Sequence, residues 1–279
     1  YQDVLDDPRQ PMTLRVGMAG PRVLSAQETS LAQAHLSTVL ESISETLVDY
    51  IANEEVAGRI YNLAKHPKPT LRLTSSLAIG ADRLIMAPVI SDVLIEHTQV
   101  EYAAVLPFLP DVCEQAFYDD TRSETDNQQD WDDFTQLIDR IKKQPKPRLT
   151  ALDGDPKTPD SRDKAHFRCS EILSQNSDLL IAITKPKHNP TPNNHRAGTS
   201  ATILQAKALG RPVIEIRLSD DGDNARLWLH QANLKEEFEE IEAWAEDSIE
   251  RMLSRLVLFG NNFQQPKIKT KNRNPAKQT

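Results

Sequence analysis

Apolar runs and segments of helical periodicity alternate along most of the chain. Five apolar runs predict β-strands, at residues 13–19, 70–76, 100–107, 178–184 and 213–216. Runs that are apolar throughout suit the strands of a parallel sheet covered on both faces. Since helical segments separate the strands, the pattern predicts an α/β protein. We expect a Rossmann-like, doubly wound, mainly parallel sheet with helices on both faces.

The helical segments have recognisable boundaries. Ser25 followed by Glu28 forms a capping-box pattern at the start of the first helix, whose apolar positions continue to residue 51. A broken helical region is predicted over 111–143. Further helices are predicted at 54–65, 80–97, 160–176 and 198–209. Apolar positions spaced through 233–259 predict a long amphipathic closing helix, which either packs on the core or serves in self-association.

The chain shows no internal repeat and no clear domain boundary. Residues 1–11 are polar with two prolines and are expected to form a flexible lead-in. Residues 261–279 carry basic side chains without an acid, which is typical of a disordered tail. Residues 12–260 are therefore interpreted as a single domain. Within it, the prolines and turn residues of 144–156 predict a long excursion.

Composition narrows the class of protein. The 279 residues carry a formal net charge of −8, and 5% of them are aromatic, which disfavours nucleic acid as a partner. The two cysteines and seven histidines lack ligand spacing, so we expect free thiols, no bound metal and no cofactor. No run of 18 apolar residues exists, so we expect no membrane insertion and a cytoplasmic location.

Three loops that follow predicted strands carry small, hydroxyl or charged residues. Ligands of doubly wound sheets bind at the carboxyl ends of the strands, where such loops converge. The first loop offers Gly17, Gly20 and Arg22. The second offers Ser75, Ser76, Gly80, Ala81, Asp82 and Arg83. The third offers Gly198, Thr199 and Ser200 at a predicted helix start, with Lys185 in the approaching loop. The sequence therefore predicts a pocket for a phosphate-bearing ligand.

Each of these residues also has a simpler interpretation. Arg22 could be a solvated side chain of a tight turn, and Asp82 could be a favourable charge at a helix start. Gly198 could belong to an ordinary helix cap. Phe108, which ends the third predicted strand, either stacks on a base or packs in the core. We nevertheless predict a pocket, because all three loops are expected to converge at one edge of the sheet.

The order of these motifs resembles the SLOG superfamily. That group includes the lysine-decarboxylase-like LOG enzymes, the DprA proteins and sensor domains of bacterial defence systems. The resemblance covers roughly residues 12–217 and implies a Rossmann-like fold with a nucleotide pocket at the strand ends. The segments that carry it are 17–22, 75–84, 106–108, 177–182, 198–201 and 210–213.

The branches of this superfamily differ in function. The resemblance is best to the defence-associated branch, notably over residues 77–84. It implies a sensor of a nucleotide-derived second messenger, phosphorylated, cyclic or ADP-ribose-like, which controls self-assembly into a homo-oligomer or a linked effector in anti-phage defence. The alternative is a LOG-type N-glycosidase or phosphoribohydrolase. Thr202 stands where LOG enzymes carry their catalytic Glu, so we assign no catalytic residue and favour a protein that is not an enzyme.

Overall fold

The computed structural model describes residues 9–52, 54–94, 96–117, 123–186, 198–232, 238–242 and 251–253. These residues form eight strands and eight helices, besides the helical residues 251–253. The strands are β1 (Thr13–Ala19), β2 (Thr70–Ser75), β3 (Gln99–Leu106), β4 (Arg148–Ala151), β5 (Leu179–Thr184), β6 (Val213–Leu218), β7 (Ala225–Ala232) and β8 (Phe238–Glu242). The helices are α1 (Ala26–Ala52), α2 (Glu54–Ile60), α3 (Ala81–Leu84), α4 (Pro88–Leu94), α5 (Pro110–Phe117), α6 (Glu124–Lys142), α7 (Pro159–Gln175) and α8 (Thr199–Ala208).

All eight strands form one sheet in the order β4-β3-β2-β1-β5-β6-β7-β8. The strands from β4 to β6 are parallel to one another, while β7 and β8 extend the sheet in antiparallel fashion. The chain first builds outward from β1 to β4 and then returns to place β5 on the other side of β1. This reversal between β1 and β5 is the topological switch point of a doubly wound sheet. The predicted Rossmann-like α/β fold is thus confirmed.

The central strand β1 contributes side chains to both faces of the sheet. Leu14, Val16 and Met18 lie in the larger buried core together with the apolar stripe of α1. Ala19 lies in a second cluster with residues of α7 and α8. Because successive strand residues point to opposite faces, one seven-residue segment anchors both helical layers.

The capping box at the start of α1 is present as predicted. The Ser25 N–H donates to Glu28 Oε2 at 2.7 Å, and the Glu28 N–H donates to Ser25 Oγ at 3.2 Å. The reciprocal bonds satisfy two backbone donors that would otherwise lack partners in the first turn. The direction in which the chain leaves β1 is therefore encoded locally.

Two elements between β2 and α7 differ from the sequence-based expectation. The helix predicted over 80–97 is divided into α3 and α4, and α4 begins at Pro88, which lacks the N–H that a continuous helix requires. The excursion at 144–156 contains β4, which pairs with β3 from Arg148 to Ala151. This strand is short, partly exposed and polar, so it lacks the apolar run by which the others were recognised.

The long closing helix predicted over 233–259 is wrong at residues 238–242. These residues form β8, which pairs with β7 in antiparallel register. Spacing of apolar residues cannot detect such pairing with a distant segment, because cross-strand contacts override local preference. Residues 251–253 are helical, with Met252 and Leu253 buried in the larger core. The remainder of this segment, the lead-in through residue 8 and the tail lie outside the described residues.

A buried polar network joins α8 to the antiparallel edge of the sheet. Glu215 accepts hydrogen bonds from Thr184 Oγ1 at 2.7 Å, Arg217 Nη2 at 2.9 Å and His230 Nε2 at 2.7 Å. Lys207 Nζ lies 2.9 Å from His230 Nδ1, so the histidine accepts from Lys207 and donates to Glu215. Burial alone would raise the pKa of Glu215, but the three donors lower it to about 2. The carboxylate is thus ionised and satisfied inside the fold.

At the switch point, the residues just before β5 lie close to β1. Arg15 binds Asp178 through Nε at 2.9 Å and Nη2 at 2.6 Å. Next to this pair, a Cβ on Gly17 would lie 2.4 Å from Ser177 Oγ and 3.2 Å from Ser177 Cβ. The absence of a side chain at Gly17 therefore lets the chain entering β5 pack against β1.

We expect Gly17→Ala to destabilise the protein by roughly 1–3 kcal/mol, because the added methyl overlaps a buried hydroxyl. Ser177→Ala removes that hydroxyl together with its bond to the Leu173 carbonyl. The double variant should be more stable than the sum of the single effects, as measured by urea unfolding. Strictly additive effects would show that the two residues do not meet.

Candidate functional site

The three predicted loops follow strands whose carboxyl ends lie at the same edge of the sheet. One leaves β1, the second leaves β2, and the third leads from β5 to α8. Because β1 lies between β2 and β5, the loop with Arg22 stands between the other two. This is the position at which doubly wound sheets bind their ligands.

Asp82 joins the first two loops. Its Oδ1 accepts the Gly20 N–H at 2.8 Å, and its Oδ2 accepts the Ser76 hydroxyl. A second link runs from the Ala81 N–H to the Pro21 carbonyl at 3.0 Å. In this conformation the amides of Gly20 and Ala81 donate to partners within the protein, so neither is free to bind an anion.

The glycines of these two loops permit the close approach. A Cβ on Gly20 would lie 2.3 Å from the Ala81 Cβ. Gly80 has a φ of 89°, and its Cβ would lie 2.4 Å from the Arg22 carbonyl oxygen. Gly80 is thus required both for its left-handed conformation and for the contact of one loop with the other.

The other polar residues of the second loop bind its own backbone or α6. The Ser75 hydroxyl donates to the Asp82 carbonyl and accepts the Leu77 N–H at 3.1 Å. Arg83 donates from Nε to the Leu77 carbonyl at 3.2 Å, and its Nη1 lies 3.5 Å from Asp130 Oδ1 on α6. The Arg83 side chain is therefore directed towards α6.

Burial raises the pKa of Asp82 to about 6, although hydrogen bonds from Ser76 and Gly20 and the charges of Arg22 and Arg83 oppose the shift. The carboxyl group is 7% exposed, so its charged form is poorly solvated. The link between the two loops is consequently sensitive to pH in the range just below neutrality.

The third loop ends at the start of α8. Gly198 occupies the N-cap position with a φ of 102°, and no side chain of the described residues caps the first turn. The first N–H groups of a helix lack partners within the helix and lie at the positive end of its dipole. Thr199 is half-buried and Ser200 is exposed at this end. A helix start that lacks a side-chain cap has N–H groups that can bind an anion.

Thr202 faces away from this opening. It is 3% exposed, and its hydroxyl lies 3.1 Å from Ser170 Oγ on α7 and donates to the Gly198 carbonyl at 3.2 Å. The Ser170 hydroxyl in turn donates to the His166 carbonyl at 3.0 Å. These bonds fasten the first turn of α8 to the turn of α7 that holds His166.

Lys185 is the first residue after β5, and its Nζ lies 2.7 Å from Glu28 Oε2. The same carboxylate caps the start of α1, and the Lys185 contact together with the Ser25 bond lowers its pKa. Lys185 therefore ties the end of β5 to the start of α1. Its charge is already paired within the protein.

Phe108 is 1% exposed and packs in the larger core, which favours the packing interpretation over base stacking. Its ring meets the His166 ring edge to face, with centroids 5.5 Å apart. Sequence reasoning missed His166, because a lone histidine within a polar helix carries no distinctive pattern. On its other side, His166 Nε2 lies 3.0 Å from Arg22 Nη2.

A cavity of about 40 Å³ lies behind Arg22, between Ser76, Phe108 and His166. It has room for a few water molecules. A ligand of nucleotide size would therefore not fit inside it. A larger groove of about 460 Å³ lies between α7 and residues 152–154. The charged residues at that groove pair along the helix, Lys164 with Asp160 and Arg168 with Glu171.

Cys113 and Cys169 are both buried and free. Each thiol lies near a backbone carbonyl, Phe108 and Val105 respectively, and burial raises the pKa of both. Thiols of this kind remain protonated near neutrality and do not act as nucleophiles.

Comparisons with known proteins give no match, whether with family models, curated sequences or solved structures. In the described part of the chain, no three or more His, Cys, Asp or Glu residues are grouped so as to hold a metal ion. The same residues include no helix with both the length and the apolar character needed to cross a membrane.

Replacement of Asp82 by Asn should reveal the raised pKa. A carboxyl whose pKa rises from 3.8 to about 6 on folding contributes stability that is present below pH 3.8 and lost as the pH rises through 6. The loss corresponds to about 3 kcal/mol. The stability of Asp82→Asn relative to wild type should therefore increase between pH 4 and pH 7, measured by chemical unfolding. A difference that does not vary with pH would contradict the shift.

Proposed function

We propose that this protein binds a phosphorylated, nucleotide-derived small molecule at the carboxyl edge of its sheet, as a sensor rather than a catalyst. The observation that carries the proposal is that the exposed Arg22 and the start of α8, which no described side chain caps, follow β1 and β5, the two strands of the switch point. Both offer N–H groups that can donate hydrogen bonds to phosphate oxygens.

The start of α8 supplies backbone donors. Gly198 has a φ of 102°, and no atom of the described residues lies within 4 Å of the position that a Cβ would take, so these residues leave its backbone accessible. The hydroxyls of Thr199 and Ser200 add further donors at the same end. The bonds of Thr202 to Ser170 and to Gly198 hold this turn in place before a ligand arrives.

Arg22 supplies the positive charge. Within the described residues it makes no ion pair with a carboxylate, in contrast to Lys185, which is paired with Glu28. The Arg22 charge acts on Asp82 but does so without an ion pair, so it is compensated less fully than that of Lys185 and attracts an anion more strongly. Arg22 and the α8 start therefore form the two sides of the proposed phosphate position.

The surroundings of the candidate carboxylates favour binding over hydrolysis. Thr202 replaces the carboxylate of LOG enzymes and is buried against α7. Asp82, the nearest alternative, has both oxygens engaged by Gly20 and Ser76. Cleavage of a glycosidic bond needs a carboxylate that reaches the reacting atoms. The alternative function, a nucleotide N-glycosidase or phosphoribohydrolase, would require Asp82 to leave these partners or an acid from residues 111–133 to reach the ligand.

The resemblance to defence-associated SLOG domains supports the choice of ligand class. We propose that the ligand is a second messenger, phosphorylated, cyclic or ADP-ribose-like, and that its binding controls self-assembly or a linked effector in anti-phage defence. A ligand shifts such an equilibrium only by binding one state more tightly than the other. The rigid link between α8 and α7 is a route by which occupancy of the site could reach the outer helices.

Thr199→Glu is a direct test of the phosphate position. The substitution places a carboxylate at the first position of α8, where it should repel a phosphate. The helix itself should be stabilised slightly by an acid at this end, so loss of binding would not reflect unfolding. We expect the melting shift caused by ADP, ADP-ribose or cyclic di-AMP to disappear.

Ala208→Glu is the matched control, because it adds the same charge at the exposed far end of the same helix. It should retain the melting shift of the wild type. Equal shifts in wild type and Thr199→Glu would place the ligand elsewhere. Chromatography of the same mixtures separates the two functions, since release of free base would establish the enzyme and overturn the sensor.

A further inference from the structure

Arg22 is exposed and lies in a loop, yet one of its nitrogens has a defined partner. Arg22 Nη2 lies 3.0 Å from His166 Nε2 on α7. A guanidinium donates hydrogen bonds and cannot accept them. His166 Nε2 must therefore be the acceptor, which fixes the neutral tautomer with the proton on Nδ1.

The surroundings of His166 favour this neutral form. Burial, together with the charges of Arg22 and Arg162, lowers the pKa of His166 to about 4, although Asp163 opposes the shift. The edge-to-face contact with Phe108 restrains the ring from the opposite side. The imidazole thus presents Nε2 to Arg22 in a fixed direction.

We propose that His166 is the positioning residue for the ligand's anionic group, because it holds the Arg22 guanidinium at the rim of the site through Nε2. The inference rests on the proposed function and adds a residue that the sequence did not indicate. His166 does not contact the ligand itself. His166 Nε2 accepts one N–H of the Arg22 guanidinium, and the remaining N–H groups of the guanidinium can donate to phosphate oxygens.

The position of His166 in the fold agrees with this role. Its carbonyl accepts the Ser170 hydroxyl, and Ser170 Oγ contacts Thr202, which is bonded to Gly198. The turn of α7 that orients Arg22 is consequently joined to the turn of α8 that offers its N–H groups. The two sides of the phosphate position are held by one chain of hydrogen bonds.

Two substitutions at His166 separate positioning from packing. His166→Leu retains an apolar side chain of moderate size but removes the acceptor, whereas His166→Gln retains a carbonyl acceptor. Arg22→Ala removes the guanidinium altogether. His35→Leu, at a half-buried histidine of α1, serves as the control for loss of a histidine elsewhere.

Affinities for ADP, ADP-ribose and cyclic di-AMP are measured by calorimetry at pH 7.5 for all five proteins. We expect His166→Leu and Arg22→Ala to weaken binding about 10-fold or more. His166→Gln and the control should stay within about threefold of wild type. Wild-type affinity in His166→Leu would overturn the inference and leave the proposed function standing. Failure of the wild type to bind any of the three probes would overturn the proposed function itself.

Nitrogen-15 spectra of the histidine side chains provide a test that does not require a ligand. In the free protein at pH 7, His166 should show a protonated Nδ1 and an unprotonated Nε2, and the Arg22 side-chain signals should move in His166→Leu. A proton on Nε2, or an imidazolium, would contradict the geometry from which the role is inferred.

Discussion

The hydrogen bonds of the buried Asp82 carboxyl group fix the positions of the loops at the carboxyl edge of the sheet. The carboxyl group accepts one hydrogen bond from the loop after β1 and another from the loop after β2. Gly20 and Gly80 are the residues that allow these loops to come so close. An ionisable group in this position is costly to bury, and a raised pKa is the physical sign of that cost. These hydrogen bonds fix the two loops relative to each other, and Arg22 lies exposed in the first of them.

The division of labour among the polar residues follows from this link. Ser75, Ser76, Asp82 and Arg83 bind mainly one another, the loop backbone and α6, so their polar atoms serve the framework. Arg22 and the start of α8 are the groups left facing outward. In a doubly wound sheet, a rigid framework with a few free donors at the switch point suits recognition of an anion. Catalysis would also require a free carboxylate near the same point.

Much of the fold followed from local pattern. The apolar runs identified β1, β2, β3, β5 and β6, because each is long and buried on both faces. The strands β4, β7 and β8 were missed, since β4 is polar, β7 is a mixed run of apolar and polar residues, and β8 depends on pairing with β7. For the site, glycines and hydroxyls marked the correct loops, but their spacing could not show which amides bind each other. His166 could not be found at all, because its role depends on contacts with Arg22 and Phe108 from distant parts of the chain.

Backbone and side-chain NMR during titration with ADP-ribose shows whether the ligand's phosphate binds at Arg22 and the start of α8, as we propose. We expect the largest shifts at the amides of residues 199–201 and at the Arg22 guanidinium, while the Gly20 and Ala81 amides remain protected from exchange by their internal bonds. If the largest shifts instead occur at residues 152–154 and along α7, the ligand lies in the larger groove and the proposed phosphate position is wrong.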